Sequence, residues 1–202
     1  MSTGRAMTIA PTPSPFDLFA AWFRDAEAKE PGLPHAMSLA TVGRDGAPSL
    51  RMVLLKGADA RGFVFYTNLE SQKGVELGAD PRAALCFHWK SLNRQVRVEG
   101  SVTPVDPSEA DAYWAIRPRE FRVSAWASRQ SRSYRSRAEL DAAVARYDAA
   151  FPGEAVPRPA FWSGFRLVPR RLEFWQEQPS RLHDRLVYIR VGEGWATEYL
   201  YP

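Results

Sequence analysis

The fold class follows from residues 36–67, AMSLATVGRDGAPSLRMVLLKGADARGFVFYT. Short apolar runs alternate here with turn signals, first at Asp45-Gly46 and then between Asp59 and Gly62. Runs of this kind separated by such turns are typical of β-hairpins. We therefore expect antiparallel strands at residues 36–42, 49–56 and 63–67.

The segments on either side of this region add helices and further strands. Ser14-Pro15-Phe16-Asp17 places an N-cap residue before a proline and an acid, so it predicts a helix to about residue 29. The capping boxes Asp106–Glu109 and Ser136–Glu139 predict helices to about residues 116 and 150. We expect further strands at residues 82–89, 95–103, 164–167, 171–176, 186–191 and 195–200. These elements predict a mainly β fold, an antiparallel barrel with peripheral helices.

Length and composition favour one ordinary globular domain. The chain has 202 residues, of which 45% are hydrophobic and 12% aromatic, and no repeat or linker divides it. We expect a single domain over residues 14–202, preceded by a flexible N-terminal tail over residues 1–13. The net charge is +4. The excess of arginine over lysine favours planar or phosphate-bearing partners, although a GC-rich genome explains it equally well.

Several classes of protein are excluded by what the sequence lacks. Cys86 is the single cysteine, so no intramolecular disulfide is expected, and the three histidines have no metal-ligand spacing. We expect no metal. Because no apolar run is long enough to span a bilayer and the N-terminus lacks a secretory signal, we expect a cytoplasmic protein without a membrane partner.

The basic segment of residues 128–137, SRQSRSYRSR, has several possible interpretations. Taken alone it is compatible with a nucleic-acid-binding arm, but no recognition helix, zinc finger or aromatic stacking motif accompanies it. A solvated loop and a contact with a ligand or a second subunit are the other interpretations. We therefore expect no nucleic-acid partner.

A first candidate site lies near the C-terminus, where residues 172–185 read LEFWQEQPSRLHDR. Trp175 is followed by Arg181, His183 and Arg185, which occupy every second position. If this stretch is extended, the two arginines and the histidine project from one face. Two fixed positive charges and an imidazole beside an indole suit a flat, anionic, aromatic ligand.

A second candidate site lies in the barrel half of the chain. Arg51 and Lys56 bracket one strand, and Thr67 ends the next strand shortly before Ser71-Gln72-Lys73. A strand end followed by hydroxyls and a lysine at a helix start would receive a phosphate through backbone N–H groups and the helix dipole. Strict alternation would put Arg51 and Lys56 on opposite faces, so a shared ligand requires a bulge or the reach of these long side chains. The alternative is that both cations face solvent.

Taken together, these segments resemble the pyridoxine (pyridoxamine) 5′-phosphate oxidase family. The C-terminal signature is LEFWQ followed after four residues by RLHDR, and the similarity extends over roughly residues 15–202. Matching motifs follow in the family's order at residues 51–56, 65–68, 94–96, 117–119, 125–131 and 161–166. The resemblance implies an FMN-binding split β-barrel that forms a homodimer with FMN at the subunit interface.

The resemblance also implies a reaction and the residues that perform it. The family oxidises pyridoxine or pyridoxamine 5′-phosphate to pyridoxal 5′-phosphate and reduces O2 to H2O2. The implied FMN contacts are Arg51, Met52, Val53, Leu54, Leu55, Lys56, Tyr66, Thr67, Lys73, Gln95, Gln130, Ser131, Trp175 and Arg185. Of these, Gln130 and Ser131 would come from the partner subunit. The implied substrate contacts are Lys56, Tyr113, Arg117, Arg181, Leu182 and His183, with Arg181 and His183 as catalytic residues.

Two departures from the family pattern leave alternatives open. Phe121 stands where the family usually has a serine that contacts the substrate phosphate, and Gln72 replaces an arginine that usually precedes Lys73. A related FMN-dependent oxidase of the phenazine-biosynthesis type, acting on a bulkier aromatic substrate, is therefore a second hypothesis. A non-catalytic protein that binds flavin or pyridoxal phosphate is a third.

Overall fold

The computed structural model describes residues 9–202. Within this range the helices are α1 (Pro15–Lys29), α2 (Gln72–Ala79), α3 (Pro107–Ile116), α4 (Arg119–Ala127) and α5 (Arg137–Ala150). The strands are β1 (Ala36–Val42), β2 (Pro48–Leu54), β3 (Gly57–Asp59), β4 (Gly62–Asn68), β5 (Arg82–Trp89), β6 (Arg94–Pro104), β7 (Trp162–Gln176), β8 (Asp184–Val191) and β9 (Gly194–Tyr199). None of these helices is long and apolar enough to cross a membrane.

The strands form one antiparallel sheet in the order β2-β1-β5-β6-β7-β4-β3, with β8 beside β7 and β9 beside β8. Strand β7 organises this sheet, because its first half pairs with β4, its second half pairs with β8, and β6 runs along most of its length. The predicted mainly β fold with peripheral helices is confirmed.

Helix α1 closes the core of the sheet. The ring of Phe19 packs edge-on against Phe63 at 4.9 Å and against Phe87 at 5.1 Å, measured between ring centroids. Trp22 lies one turn further along α1 and meets Phe174 of β7 in the same way. Burying each of these side chains stabilises the fold by about 1.5–3 kcal/mol. The apolar face of α1 therefore packs against the barrel.

Strand β7 is continuous where two shorter strands were expected, at residues 164–167 and 171–176. Pro169 interrupts the sequence pattern, and it pairs with Gly100 of β6 beside a register shift between Glu99 and Gly100. A Cβ on Gly100 would lie 2.1 Å from the Val168 carbonyl oxygen, so only glycine permits this approach. Proline is tolerated inside a sheet at such a bulge.

Helices α1, α3 and α5 begin at the predicted residues, but the side-chain cap predicted for α3 is absent. The Ser14 hydroxyl caps α1 by accepting from the Phe16 N–H, and the Ser136 hydroxyl caps α5 by accepting from the Glu139 N–H. The capping box predicted at Asp106 does not form, because Asp106 makes no side-chain cap hydrogen bond. Helix α4 was not predicted, since its N-cap residue is Pro118, which offers no side-chain cap.

Part of the expected N-terminal tail packs on the C-terminal strands. Ile9 is buried, and its carbonyl accepts from the Tyr199 hydroxyl at 2.7 Å. The Thr12 N–H donates to the Tyr188 hydroxyl at 2.7 Å. Residues 9–13 therefore contact the C-terminal strands, residues 1–8 lie outside the described residues, and the flexible tail stays a prediction.

Candidate functional site

A pocket of about 600 Å³ lies at the meeting point of β2, β4, α3, α4 and the first residue of β7. It brings together ten of the predicted site residues, Met52, Val53, Leu54, Lys56, Tyr66, Thr67, Lys73, Tyr113, Arg117 and Gln130. Lys56 lies just beyond the end of β2, and its backbone N–H donates to the Val64 carbonyl. The alternation of side chains along β2, which argued against a site shared by Lys56 and β2 residues, therefore does not apply to Lys56.

One wall of the pocket is a stack of aromatic rings. Tyr66 lies parallel to Tyr113 at 4.2 Å between ring centroids and parallel to Trp162 at 5.3 Å. The Lys56 ammonium stands 5.8 Å from the Tyr113 ring centre, and the Arg117 guanidinium stands 4.6 Å from that of Trp162. The pocket therefore combines flat apolar surface with cations at its edge, a combination that fits an aromatic ligand bearing negative charge.

The Tyr66 hydroxyl remains protonated near neutral pH. Burial and the nearby Glu109 carboxylate raise the pKa of Tyr66 to about 12, and the hydroxyl donates to the Glu109 carbonyl at 3.4 Å. The Glu109 carboxylate in turn accepts from Arg166 at 2.8 and 2.9 Å. That ion pair explains why Glu109 is not used in the predicted capping box.

The pocket lining carries positive charge without a compensating acid. Lys56, Lys73 and Arg117 line it, no Asp or Glu does, and none of these three cations forms a salt bridge with any carboxylate in residues 9–202. Burial lowers the pKa of Lys73, as does the nearby Arg51, and burial lowers the pKa of Arg117. Burying unpaired cations is costly, so such a site favours an anion that pairs with them.

Lys73 lies at the start of α2, in the position predicted for phosphate binding. Its ammonium donates to the Gln130 side-chain oxygen at 3.0 Å and to the Ser71 hydroxyl at 3.4 Å. Ser71 is also the N-cap of α2, accepting from the Gly74 N–H. Lys73, in the first turn of α2 and without a carboxylate partner, therefore brings positive charge to this part of the pocket.

Two of the predicted FMN contacts on or next to β2 do not line this pocket. The Arg51 guanidinium donates to Glu76 at 2.9 Å, to the Ser49 hydroxyl at 2.5 Å and to Thr41. Burial opposes ionisation of Glu76, yet hydrogen bonds from Thr41, Gln72 and Arg51 outweigh it and lower the pKa of Glu76. Leu55, the second residue, is buried in the core.

A second group of predicted residues lies side by side on three neighbouring strands. The pairing of β6, β7 and β8 places Gln95 opposite Trp175 and Trp175 opposite Arg185. The His183 ring lies 4.7 Å from the Trp175 ring, between centroids, and its Nδ1 accepts from the Gln178 N–H at 3.1 Å. A neutral imidazole bonded in this way carries its proton on Nε2.

Arg181 does not share a face with His183 and Arg185 as an extended segment would require. Residues Pro179–Arg181 form a short 3-10 turn, and the backbone φ angles of Ser180 and Arg181 are 59° and 61°. Strand β8 begins only at Asp184. The expected extended segment is therefore wrong for this turn, on which Leu182 is also exposed.

The two groups of predicted residues lie at opposite ends of one strand. Trp162, which lines the pocket, begins β7, and Trp175 stands at the other end of the same strand. Gln130 bonds to Lys73 of its own chain, so the expectation that the partner supplies Gln130 differs from the observed position. Ser131 does not line the 600 Å³ pocket. A single chain thus holds the predicted site in two separate parts.

Sequence reasoning missed two residues that shape these groups. Trp162 completes the aromatic wall, and Glu173 binds Arg185 beside Trp175. Both stand inside the motifs quoted above, in which the neighbouring residues gave the stronger indication of a ligand contact. In the described part of the chain, no three His, Cys, Asp or Glu side chains gather where they could hold a metal ion.

Comparison with known proteins matches nearly the whole chain to one family. Residues 24–150 match the family model described as pyridoxamine 5′-phosphate oxidase, and residues 162–202 match the pyridoxine 5′-phosphate oxidase C-terminal dimerisation region. The pyridoxine/pyridoxamine 5′-phosphate oxidase of Sphingopyxis alaskensis is 55% identical over 98% of this chain and 92% of its own. The enzyme of the same name from Rhodospirillum rubrum is 58% identical over 93% of this chain and 96% of its own.

Two solved structures resemble the fold closely. PhzG from Burkholderia lata, in complex with tetrahydrophenazine-1-carboxylic acid, superposes with a TM-score of 0.89 at 34% identity, covering 95% of this chain and 94% of PhzG. A pyridoxamine 5′-phosphate oxidase-related, FMN-binding protein from Nostoc punctiforme has a TM-score of 0.76 at 18% identity and covers 94% of this chain and 98% of its own. The second likeness concerns the fold alone.

Proposed function

The chain belongs to the pyridoxamine 5′-phosphate oxidase family, and from this premise we propose that it is an FMN-dependent oxidase. Its substrate is pyridoxine or pyridoxamine 5′-phosphate, and its products are pyridoxal 5′-phosphate and H2O2. The observation that carries the proposal is the pocket beside β4, which combines an aromatic wall with three cations and no acid. A flavin phosphate and a substrate phosphate would supply the missing negative charge.

The residues present fit FMN. Lys73 is half-buried without a carboxylate partner, and it stands at the N-terminus of α2 beside Thr67 and Gln130. These groups would hold the FMN phosphate. The apolar side chains of Met52, Val53 and Leu54 would flank the flavin ring. When bound, FMN supplies the acceptor for two electrons from the substrate, and O2 takes those electrons up again.

The substrate phosphate fits the other cations of the pocket. Tyr113 and Arg117 are four residues apart at the end of α3, and the Lys56 ammonium lies over the Tyr113 ring. Two cations and a phenol hydroxyl offer the charge and hydrogen bonds that a phosphate dianion requires. Holding the phosphate at this end would place the substrate ring along the aromatic wall, so these residues contribute chiefly by orientation.

A second copy of the chain would complete the site. Gln95, Trp175, Arg185, Arg181 and His183 lie at the far end of β7 from the pocket of their own chain. The dimerisation region covers this strand, and we assign these five residues to the partner's pocket in a homodimer. There the Arg181 guanidinium and the His183 Nε2–H would donate to the oxygen or nitrogen on the reacting carbon and hold it in place.

A second candidate function is oxidation of a bulkier aromatic substrate. Its support is Phe121, which lines the pocket and is 55% exposed there, together with the similarity to PhzG. The identities of 55% and 58% to pyridoxine/pyridoxamine 5′-phosphate oxidases, against 34% to PhzG, favour the first candidate.

Product formation tests the proposal. The purified protein with FMN is incubated in air with each vitamin B6 phosphate, and pyridoxal 5′-phosphate and H2O2 are measured together. We expect equal amounts of both products, a large loss in R117M, and no change in the control R44M, whose arginine lies outside the pocket. Absence of product from both phosphates would contradict the proposal. We also retain a cytoplasmic location as part of the proposal, which cell fractionation tests.

A further inference from the structure

Glu173 is a carboxylate enclosed by arginines on β7. It is 2% exposed, and its oxygens accept from Arg185 at 2.9 Å, from Arg171 at 3.3 Å and from Arg97 at 3.4 Å. A buried carboxylate is costly unless it is paired and hydrogen-bonded. Three guanidinium groups meet that requirement, so the charge of Glu173 is compensated several times over.

The contact with Arg185 is the shortest of the three. The Nε and one terminal nitrogen of Arg185 both approach the same Glu173 oxygen, at 2.9 and 2.8 Å. The other terminal nitrogen donates to the Tyr201 carbonyl at 3.0 Å. Two of the five guanidinium N–H groups thus donate hydrogen bonds, and the second terminal nitrogen is held beside Glu173 by the ion pair. These contacts fix the plane of the group and leave N–H groups for a ligand.

This fixed guanidinium belongs to the predicted ligand row. Arg185 stands opposite Trp175 on the neighbouring strand. Glu173 precedes Trp175 by two residues, so the side chains of Glu173 and Trp175 project from the same face of β7. The carboxylate therefore sits directly beside the row of Gln95, Trp175 and Arg185 without being part of it. Its position allows it to orient Arg185 and gives it no place in contact with a ligand, since its own oxygens are already occupied.

We propose that Glu173 is a positioning residue for FMN binding, acting through Arg185 by holding its guanidinium in the orientation that the cofactor requires. This inference rests on the proposed function, in which Arg185 contacts FMN in the partner's pocket. Outer-shell partners that orient ligand residues are worth about 10- to 100-fold in affinity at metal sites, and we expect an effect at the lower end of that range here.

The neighbouring Glu99 provides a matched control. It accepts from Arg97 at 3.1 Å and from Arg171 at 3.3 Å, two arginines that it shares with Glu173, but it makes no contact with Arg185. Removing the charge of Glu99 therefore disturbs the same arginine cluster without releasing Arg185. A difference between the two variants isolates the contact with Arg185 from a general effect on the cluster.

The test compares R185A, E173Q, the double variant and E99Q. FMN dissociation constants of the apoproteins are measured by quenching of flavin fluorescence, and their stabilities by urea unfolding. We expect R185A and E173Q each to weaken FMN binding about tenfold, the double variant to bind no more weakly than R185A, and E99Q to bind like the wild type. If E173Q does not fold, E173D with and without R185A provides the same comparison, because aspartate keeps the buried charge.

The outcomes separate this inference from the proposed function. If R185A binds FMN as the wild type does, the assignment of Arg185 to the cofactor is wrong and the role of Glu173 falls with it. If R185A binds weakly while the Glu173 variant binds normally, the proposed function stands and this inference is overturned. Additive losses in the double variant, or a loss of stability with unchanged FMN affinity, also overturn it.

Discussion

Gly164 of β7 lies directly opposite Tyr66 of β4, and a Cβ at Gly164 would stand 2.7 Å from a carbon of the Tyr66 ring. The absence of a side chain at this position lets the ring lie flat against β7. Because Tyr66 is stacked on both Tyr113 and Trp162, this one glycine supports the whole aromatic wall of the pocket.

We expect G164A to displace the Tyr66 ring and to destabilise the protein by about 1–3 kcal/mol, the usual cost of overpacking a well-packed site. Urea unfolding measures the loss, and FMN affinity should fall in parallel. The control is G57A, whose added Cβ would meet Val64 at an ordinary contact distance of 3.8 Å. Equal stability of both variants would show that the ring does not depend on Gly164.

Lys73 should strengthen FMN binding and lower the stability of the apoprotein. We expect K73M to weaken FMN binding about tenfold to a hundredfold, because a charge-assisted hydrogen bond contributes about 1.5–3 kcal/mol. The apoprotein should unfold at equal or higher urea, since a half-buried cation is removed. Fluorescence titration and urea unfolding test both effects, with the exposed Lys90 as the K90M control. Unchanged FMN affinity in K73M would contradict the assignment.

The same lysine predicts a pH dependence of FMN affinity. Burial and Arg51 lower the pKa of Lys73 in the apoprotein, whereas a bound phosphate would stabilise the protonated form and raise it. FMN affinity should therefore be full below the lowered pKa of Lys73 and decrease as the pH rises through it. Titrations across the alkaline range measure this decrease. A K73M variant that retains the same alkaline decrease would exclude Lys73 as its source.

Phe121 should weaken the binding of the substrate phosphate. It lines the pocket beside Arg117, whose guanidinium donates to the Phe121 carbonyl at 3.3 Å. Replacing it in F121S restores a hydroxyl, and a neutral hydrogen bond of about 0.5–1.5 kcal/mol predicts a KM lower by about twofold to tenfold. Initial-rate kinetics with pyridoxine 5′-phosphate provide the test, with F121A separating lost bulk from the gained hydroxyl. A KM that is the same in all three proteins would make this position irrelevant.

The edge strand β2 should lie in the dimer interface. Its alternate residues Leu50 and Met52 are 69% and 62% exposed in the single chain, and an apolar row on an edge strand is normally covered. We expect L50E to sediment as a monomer and to lose FMN. The control L33E changes a leucine that is 59% exposed in a loop and should remain dimeric. A dimeric L50E with normal FMN content would place the interface elsewhere.

Local signals explain how much of the fold the sequence predicts. Helix α1 begins one residue after Ser14, as its capping pattern indicates, because cap chemistry acts within a single turn. Helix α4 escaped prediction since Pro118 carries no capping side chain. The continuity of β7 through Pro169 depends on Gly100, and the absence of the capping box at Asp106 depends on Arg166. Both partners are distant in sequence.

The site was predictable as a set of residues and unpredictable as an arrangement. The residue types at Lys56, Lys73 and Arg117 are by themselves enough to indicate anion binding. The binding of Arg51 by Glu76 follows from a tertiary contact, and the positive φ angles of Ser180 and Arg181 follow from the geometry of a turn. No periodicity in the sequence encodes either feature. The separation of the site into two groups likewise appears only when β7 is traced from end to end.

The central claim is tested most directly by anaerobic addition of pyridoxine 5′-phosphate to the FMN-loaded protein while the visible flavin bands are recorded. We predict that these bands bleach and that they return when oxygen is admitted. Flavin bands that persist in the presence of both pyridoxine and pyridoxamine 5′-phosphates would contradict the assigned substrate. A protein that takes up no FMN at all would contradict the oxidase function itself.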